Sequence, residues 1–150
     1  MKFQREMLTL YAVTDRTWLN GRTLAEVVEQ AIRGGATMVQ LREKDKTPDE
    51  ILASAREILP VCHKYGVPFI MNDSIELARA AGADGVHLGQ SDVPGDNVRA
   101  LAGDLILGLS ANTVESAQRA QALGADYLGV GAVFGTTTKH DARHLSPEKL

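Results

Sequence analysis

Short apolar runs alternate along the chain with segments whose apolar residues recur at helical spacing. The runs predict six strands, at Leu8–Val13, Met38–Leu41, Pro68–Met71, Gly85–Leu88, Leu105–Leu109 and Tyr127–Val133. The periodic segments predict helices at Thr23–Arg33, Pro48–Tyr65, Ser74–Ala81, Pro94–Leu101 and Thr113–Leu123, and the start of a sixth helix within Ser146–Leu150. Strict alternation of strands and helices predicts an α/β fold with a parallel sheet.

A short motif recurs where a predicted helix gives way to a predicted strand. Gly35-Ala36-Thr37, Gly82-Ala83-Asp84 and Gly124-Ala125-Asp126 share one form, and each precedes an apolar run. Their spacing accommodates two strand–helix units per interval. The echo therefore indicates one repetitive domain over residues 1–150, with no linker or low-complexity segment that divides it.

Two architectures fit this alternation. A doubly wound sheet carries a glycine-rich phosphate loop after its first strand, whereas Thr14-Asp15-Arg16-Thr17 follows the first strand here. In a TIM (β/α)8 barrel the chemistry is spread over the C-terminal ends of many strands, which is the pattern in this chain. We therefore expect a TIM barrel of which about six βα units are present, with strands seven and eight absent.

Polar side chains follow each predicted strand. Side chains on a strand alternate between its faces, so Gln40, Arg42 and Lys44 are expected to share one face at the end of the second strand. An amide and two fixed cations at one opening favour an anionic ligand, since Arg binds phosphate bidentately and Lys binds it as a point charge. Tyr11 and Trp18 are expected to be packing residues.

The other strand ends supply carboxylates, amides and hydroxyls. Asp73 and Asp92 leave neighbouring strands, so their carboxylates are expected to approach one Mg²⁺, which accepts a few carboxylates together with phosphate oxygens and water. Asn72 and Gln40 can each donate and accept a hydrogen bond, which suits a polar heterocycle. His87 is as consistent with a buried core residue as with a substrate contact.

Composition excludes several classes of protein. The chain is 44% hydrophobic and 23% charged with a net charge of −3, which argues against a broad nucleic-acid or anionic-membrane surface. Its single cysteine allows no intramolecular disulfide. The polar N-terminus is unlike a secretory signal, and no apolar run approaches the roughly 18 residues of a membrane span, so we expect a cytoplasmic protein with small-molecule partners.

Taken together, the motifs resemble those of the thiamine phosphate synthase (thiamine-phosphate pyrophosphorylase) family. The similar segments occur in family order and cover nearly the whole chain: Leu10–Asp15, Gln40–Lys44, Asn72-Asp73, Gly85–Asp92, Gly108–Ser110 and Gly129–Lys139. The resemblance implies a (β/α)8 barrel and a Mg²⁺-dependent transferase. The implied reaction joins 4-amino-2-methyl-5-hydroxymethylpyrimidine diphosphate to a (carboxy)thiazole phosphate by dissociative substitution, which gives thiamine phosphate and pyrophosphate.

The resemblance also assigns roles to residues of this chain. It implies that the metal ligands are Asp73 and Asp92, and that the catalytic cations are Arg42, Lys44 and Lys139. It implies substrate contacts from Gln40, Leu41, Arg42, Glu43, Lys44, Asn72, Ser110, Thr136, Thr137, Thr138 and Lys139. It also implies that the residues that bind the phosphate of the thiazole substrate follow strands seven and eight, beyond Leu150.

Two other functions remain open at this point. One is a thiazole tautomerase of the same fold, against which the retained cations, Asn72 and Asp73 argue. The other is an inactive or ligand-binding fragment that self-associates as a homo-oligomer through exposed strand edges.

Overall fold

The protein is one parallel sheet covered by helices. The computed structural model describes residues 1–134 and 145–149. The strands are β1 (Tyr11–Val13), β2 (Met38–Leu41), β3 (Phe69–Asn72), β4 (Gly85–Leu88), β5 (Ile106–Ala111) and β6 (Tyr127–Val130). The helices are α1 (Leu24–Arg33), α2 (Pro48–Lys64), α3 (Ile75–Ala81), α4 (Val98–Ala102) and α5 (Val114–Ala122). Short 3₁₀ turns occupy Arg5–Leu8, Arg16–Trp18 and Pro147–Lys149.

The strands lie side by side in chain order, all parallel, from β1 to β6. A doubly wound sheet reverses its strand order at a switch point, and this sheet does not. The prediction of a parallel α/β fold is confirmed, and the sheet is a six-stranded arc. Helices α1 and α2 begin as the sequence predicts, since Thr23 and Thr47 each form a capping box with a glutamate three residues on.

The two faces of the sheet pack differently. The outer face, which includes Leu41 and Phe69, packs against helix residues such as Val28 and Ile58 in one continuous core. The inner face carries a smaller cluster of Met38, Ile70, Ile106 and Tyr127, with Phe3, Met7 and Tyr11 packed against it. Helices therefore cover one side of the sheet, and the strands face one another on the other side.

Contact between the two edge strands shows that the sheet is strongly curled. In a flat sheet β1 and β6 would lie about 24 Å apart, because neighbouring strands are about 4.8 Å apart. Instead the hydroxyl oxygens of Tyr11 and Tyr127 are 2.8 Å apart. The rings themselves meet edge to face with their centroids 5.7 Å apart. The sheet thus closes around an interior.

The recurring Gly-Ala-Asp/Thr motif fastens consecutive strands together. Its glycines, Gly35, Gly82 and Gly124, end helices at positive φ, which glycine adopts without strain. Its third residue then binds one residue of the preceding strand segment twice. The Asp84 N–H donates to the Phe69 carbonyl at 2.9 Å, and the Asp84 carboxylate accepts from the Phe69 N–H at 2.9 Å.

The same reciprocal pair of hydrogen bonds recurs at the other two copies. Asp126 binds Leu107 at 2.7 and 2.8 Å, and Thr37 binds Leu10 at 2.8 and 2.9 Å. We call these three pairs the strand clamps. They explain the sequence echo, because the position requires a short side chain with an acceptor oxygen.

Several predicted boundaries are wrong. The first strand begins at Tyr11 rather than Leu8, because Arg5–Leu8 forms a 3₁₀ turn, after which the Thr9 N–H and hydroxyl both donate to the Glu6 carbonyl. The last strand ends at Val130 rather than Val133, where its pairing with β5 ends. The helix predicted from Pro94 begins at Val98, after Gly95 at a φ of 149°. Where the start of a sixth helix is predicted, the described residues form a 3₁₀ turn at Pro147–Lys149.

The strand clamps predict a specific loss of stability. Asp84→Ala leaves the buried Phe69 N–H without its acceptor, so we expect the free energy of unfolding to fall by about 1–3 kcal/mol. Asp84→Asn retains an acceptor oxygen and should lose less. Urea unfolding measures both, with the exposed Asp96→Ala as the control. Equal stability of Asp84→Ala and Asp96→Ala would contradict the role of the clamp.

Candidate active site

A cavity of about 750 Å³ opens at the C-terminal ends of the strands. All six strands contribute to its wall, as parallel strands do when they meet at one end of a curled sheet. Seven of the predicted site residues line it: Gln40, Arg42, Lys44, Asn72, Asp73, Asp92 and Ser110. Their predicted convergence on one opening is confirmed, and the roles assigned to them remain predictions.

Two members of the Gln40–Lys44 segment point elsewhere. Leu41 lies on the outer face of β2 and is buried against the helices. The Glu43 side chain is only 3% exposed and forms an ion pair with Arg16, with 2.6 Å between Oε1 and Nη2. Alternation along the strand therefore directs Gln40, Arg42 and Lys44 to the cavity and the intervening side chains away from it.

The buried Glu43 anchors the loop that carries the two cations. Its Oε1 accepts hydrogen bonds from Arg16 and from the Ser54 hydroxyl on α2, the latter at 2.9 Å. The hydrogen bond to Glu43 raises the pKa of Arg16. On the other side, Thr14 accepts from the Arg42 N–H at 3.0 Å and donates to the Arg42 carbonyl at 3.3 Å. Arg42 and Lys44 therefore flank a segment fixed at two points.

The two predicted metal ligands come from the loops after β3 and β4. Asp73 has a φ of 67°, a left-handed conformation that Asp tolerates better than most residues, and its N–H donates to the His87 carbonyl at 2.8 Å. Asp92 accepts from the Gly89 N–H at 2.9 Å and so closes the loop after β4. A Cβ on residue 89 would lie 2.6 Å from that carboxylate, which accounts for the glycine.

Within residues 1–134 and 145–149, no group of three or more His, Cys, Asp or Glu side chains could hold a metal ion. The donor set on the cavity wall is thus two carboxylates. That set fits Mg²⁺, which takes one or two carboxylates and completes its shell with substrate phosphate oxygens and water.

A chain of hydrogen bonds crosses the interior beneath the cavity. Gln40 Nε2 donates to the Tyr11 hydroxyl at 2.8 Å, and that hydroxyl bonds the Tyr127 hydroxyl at 2.8 Å. The Tyr127 hydroxyl lies 3.1 Å from His87 Nδ1, and His87 Nε2 lies 2.9 Å from the Ser110 hydroxyl. We call these five residues the interior chain. It links Gln40 on β2 to Ser110 on β5.

Burial shapes the chemistry of the two tyrosines in this chain. Desolvation raises the pKa of Tyr11 to about 12 and also raises the pKa of Tyr127. Both phenols therefore keep their protons at neutral pH and act as neutral hydroxyl groups.

The sequence is similar to those of known proteins over nearly its whole length. The family model described as "Thiamine monophosphate synthase" matches residues 10–150. Thiamine-phosphate synthase of Clostridium tetani is 52% identical over 143 residues, covering 95% of this chain and 68% of that protein. The enzyme of the same name from Ruminiclostridium cellulolyticum is 53% identical over 143 residues, with the same coverage.

The chain belongs to the thiamine monophosphate synthase family.

Solved structures agree with this family membership. Thiamine phosphate pyrophosphorylase from Pyrococcus furiosus superposes with a TM-score of 0.85 at 36% identity, covering 97% of this chain and 68% of that one. A 3-dehydroquinate dehydratase from Geobacillus kaustophilus, at 15% identity and a TM-score of 0.61, shares the fold alone. The thiamine monophosphate synthases similar to this chain are transferases, so the predicted enzyme class is confirmed.

Thr136, Thr137, Thr138 and Lys139 lie outside the described residues. Their assignments remain predictions.

Sequence reasoning missed the hydrogen-bonding roles of Tyr11 and Tyr127. Tyr11 packs as predicted, but Trp18, which was also expected to pack, is 62% exposed. The signal available in the sequence is a glycine inside a predicted strand, because such a glycine can leave space for neighbouring rings. A Cβ on residue 108 would collide with the Tyr127 phenol and lie 2.6 Å from His87 Nδ1, so Gly108 makes room for both rings.

The raised phenol pKa values predict an alkaline loss of stability. The pKa of Tyr11 is about 12 in the folded protein against an ordinary 10.0, so folding holds this proton more tightly than the unfolded chain does. The contribution is complete below pH 10 and is lost as the pH rises through 12. Tyr127 acts in the same direction.

We therefore expect the free energy of unfolding to decline between about pH 10 and pH 12, and to decline less steeply in Tyr11→Phe. Urea unfolding at a series of pH values, with each protein referenced to its own value at pH 8, measures the difference. Identical slopes for the two proteins would show that the Tyr11 phenol does not titrate with unfolding.

Proposed function

We propose that this protein is a Mg²⁺-dependent thiamine-phosphate synthase, which joins an aminopyrimidine diphosphate to a thiazole phosphate and releases pyrophosphate. The observation that carries the proposal is the composition of the cavity wall. Two fixed cations, Arg42 and Lys44, share one opening with two carboxylates, Asp73 and Asp92, and with side-chain amides that include that of Gln40. A diphosphate bound with a metal ion requires this combination of charges.

Each group is proposed to act on a different part of the pyrimidine substrate. Arg42 and Lys44, with Lys139, bind the diphosphate and stabilise the negative charge that develops on it as it departs. Gln40 and Asn72 bind the polar edge of the ring. Glu43 contributes through its pairing with Arg16, which fixes the segment on which the two cations lie.

Asp73 and Asp92 would hold Mg²⁺, which supplies Lewis-acid stabilisation of phosphate oxygens. In the proposed substitution, the bond between the methylene carbon and the diphosphate oxygen breaks, and both electrons leave with the diphosphate. The thiazole nitrogen then forms the new C–N bond with its lone pair. Since that nitrogen carries no proton, the step requires no general base, and the described cavity wall presents charge stabilisation in its place.

The thiazole phosphate is proposed to bind near Thr136, Thr137 and Thr138. The six strands are proposed to form a consecutive arc of the (β/α)8 barrel of the family. Small phosphorylated substrates fit the cytoplasmic location that we propose. Among the described residues, no helix is both long and apolar enough to cross a membrane.

The test is pyrophosphate release from the two substrates with Mg²⁺. Arg42→Ala and Lys44→Ala should each lower kcat/KM by about 100-fold, since each removes one stabilising charge from the transition state. Lys46→Ala is the matched control, because Lys46 lies on the same loop but pairs with Glu50 and does not line the cavity. Wild-type rates in Arg42→Ala and Lys44→Ala would exclude the proposed grip.

The carboxylates are tested by Mg²⁺ titration. Asp73→Asn and Asp92→Asn should raise the Mg²⁺ concentration needed for half-maximal rate, whereas Asp96→Asn, which is exposed, should not. An unchanged Mg²⁺ requirement in both site variants would remove the metal assignment. A protein that isomerises the thiazole phosphate and does not bind the pyrimidine diphosphate would instead be a tautomerase.

A further inference from the structure

The interior chain connects two polar groups of the cavity that do not contact each other. Gln40 lies on β2 and Ser110 on β5, and both line the opening. The intervening links are the hydroxyls of Tyr11 and Tyr127 and the imidazole of His87. Every link is between 2.8 and 3.1 Å, within the range of ordinary hydrogen bonds.

The hydrogen bonds of the interior chain run in one direction, because each hydroxyl carries only one hydrogen to donate. Gln40 Nε2 is a donor, so the Tyr11 oxygen accepts there. In the arrangement that uses every hydrogen within the interior chain, Tyr11 donates to Tyr127 and Tyr127 donates to His87 Nδ1. An imidazole that accepts at Nδ1 carries its hydrogen on Nε2 and donates to the Ser110 oxygen.

The two ends of the interior chain therefore offer opposite hydrogen-bonding groups to the cavity, an acceptor at one end and a donor at the other. Gln40 donates an N–H to Tyr11, and its side-chain carbonyl oxygen is then the acceptor that it can offer to a ligand in the cavity. The Ser110 oxygen accepts from His87 and keeps its hydrogen, a donor, for the cavity. If the amide of Gln40 were turned over, every bond in the chain would reverse and Ser110 would donate to His87 instead.

The backbone is built to accommodate this chain. Gly108, next to His87 and Tyr127 on the sheet, has no side chain where a Cβ would meet both of their rings. Gly129 likewise leaves space, since a Cβ there would lie 2.8 Å from His87 Cε1. Within the described part of the chain, no buried side-chain nitrogen or oxygen lacks a hydrogen-bond partner. A polar network that is fully satisfied in a buried site fixes its members in one arrangement.

We propose that Tyr11, Tyr127 and His87 are positioning residues that set the hydrogen-bonding polarity of the substrate site. Through them, Gln40 presents an acceptor to a ligand donor, and Ser110 presents a donor to a ligand oxygen. This inference rests on the proposed function for its ligand. It concerns residues that contact one another across the interior of the curled sheet, and not the cations that are proposed to bind the diphosphate.

The first experiment measures the hydrogen bonding of His87 in the interior chain and requires neither substrate nor activity. Nitrogen-15 NMR of the His87 ring, assigned by comparison with His87→Gln, distinguishes the two neutral tautomers. We expect the Nε2–H tautomer in the wild-type protein, and in Tyr127→Phe a shift of the Nδ1 resonance to the value of an acceptor nitrogen that has lost its hydrogen-bond donor. The Nδ1–H tautomer in the wild type, or an unchanged Nδ1 resonance in Tyr127→Phe, would overturn the proposal even if synthase activity is confirmed.

The second experiment is a double-mutant cycle on pyrophosphate release, with Tyr127→Phe, Ser110→Ala and the double variant. Loss of one hydrogen bond should lower kcat/KM by roughly three- to tenfold in Tyr127→Phe. If Tyr127 acts through Ser110, the same substitution should cause little further loss in Ser110→Ala. Two losses that multiply would mean independent packing roles and would contradict the proposal.

Tyr65→Phe is the matched control, since it removes a phenol hydroxyl that donates to Glu29, away from the cavity. It should change neither the His87 tautomer nor the rate. A protein that shows the expected tautomer but makes no product would refute the proposed function and leave the interior chain intact. The two failures are thus separable.

Discussion

The meeting of the first and last strands is the constraint on which the rest of the molecule depends. Without the contact between Tyr11 and Tyr127, a flat sheet would place β2 and β5 about 14 Å apart and no interior would exist. With it, the C-terminal ends of all six strands face one opening. The cavity is a consequence of curvature, and the residues that line it come from every strand because every strand ends there.

Curvature also divides the inner face of the strands into two levels. The lower level is apolar, with Met38, Ile70 and Ile106. Two residues further along β2, β3 and β5, the same face presents Gln40, Asn72 and Gly108. Another two residues along β5, it presents Ser110. Since side chains repeat every second residue, one strand can stabilise the interior at its start and supply a ligand contact at its end. Tyr127 spans the two levels, with its ring in the apolar cluster and its hydroxyl in the interior chain.

How far the sequence predicts this structure depends on the range of the interaction concerned. Strands β2 and β4 were predicted with their observed bounds, because a helix-ending glycine and an apolar run mark them locally. Gln40, Arg42 and Lys44 were predicted to share a face from the two-residue period alone. Leu41 and Glu43 entered the candidate set only as part of a motif, and alternation turns both away from the cavity. The bond between Tyr11 and Tyr127 joins opposite edges of the sheet, so no local pattern encodes it.

The strand clamps bear on how the chain comes apart as well as on how it holds together. Each clamp ties a strand to the one before it, in the pairs β1 with β2, β3 with β4, and β5 with β6. No equivalent clamp is found between β2 and β3 or between β4 and β5 in the described residues. The backbone amides should therefore exchange with solvent deuterium in two-strand blocks, and the sheet should loosen first along the two seams between blocks.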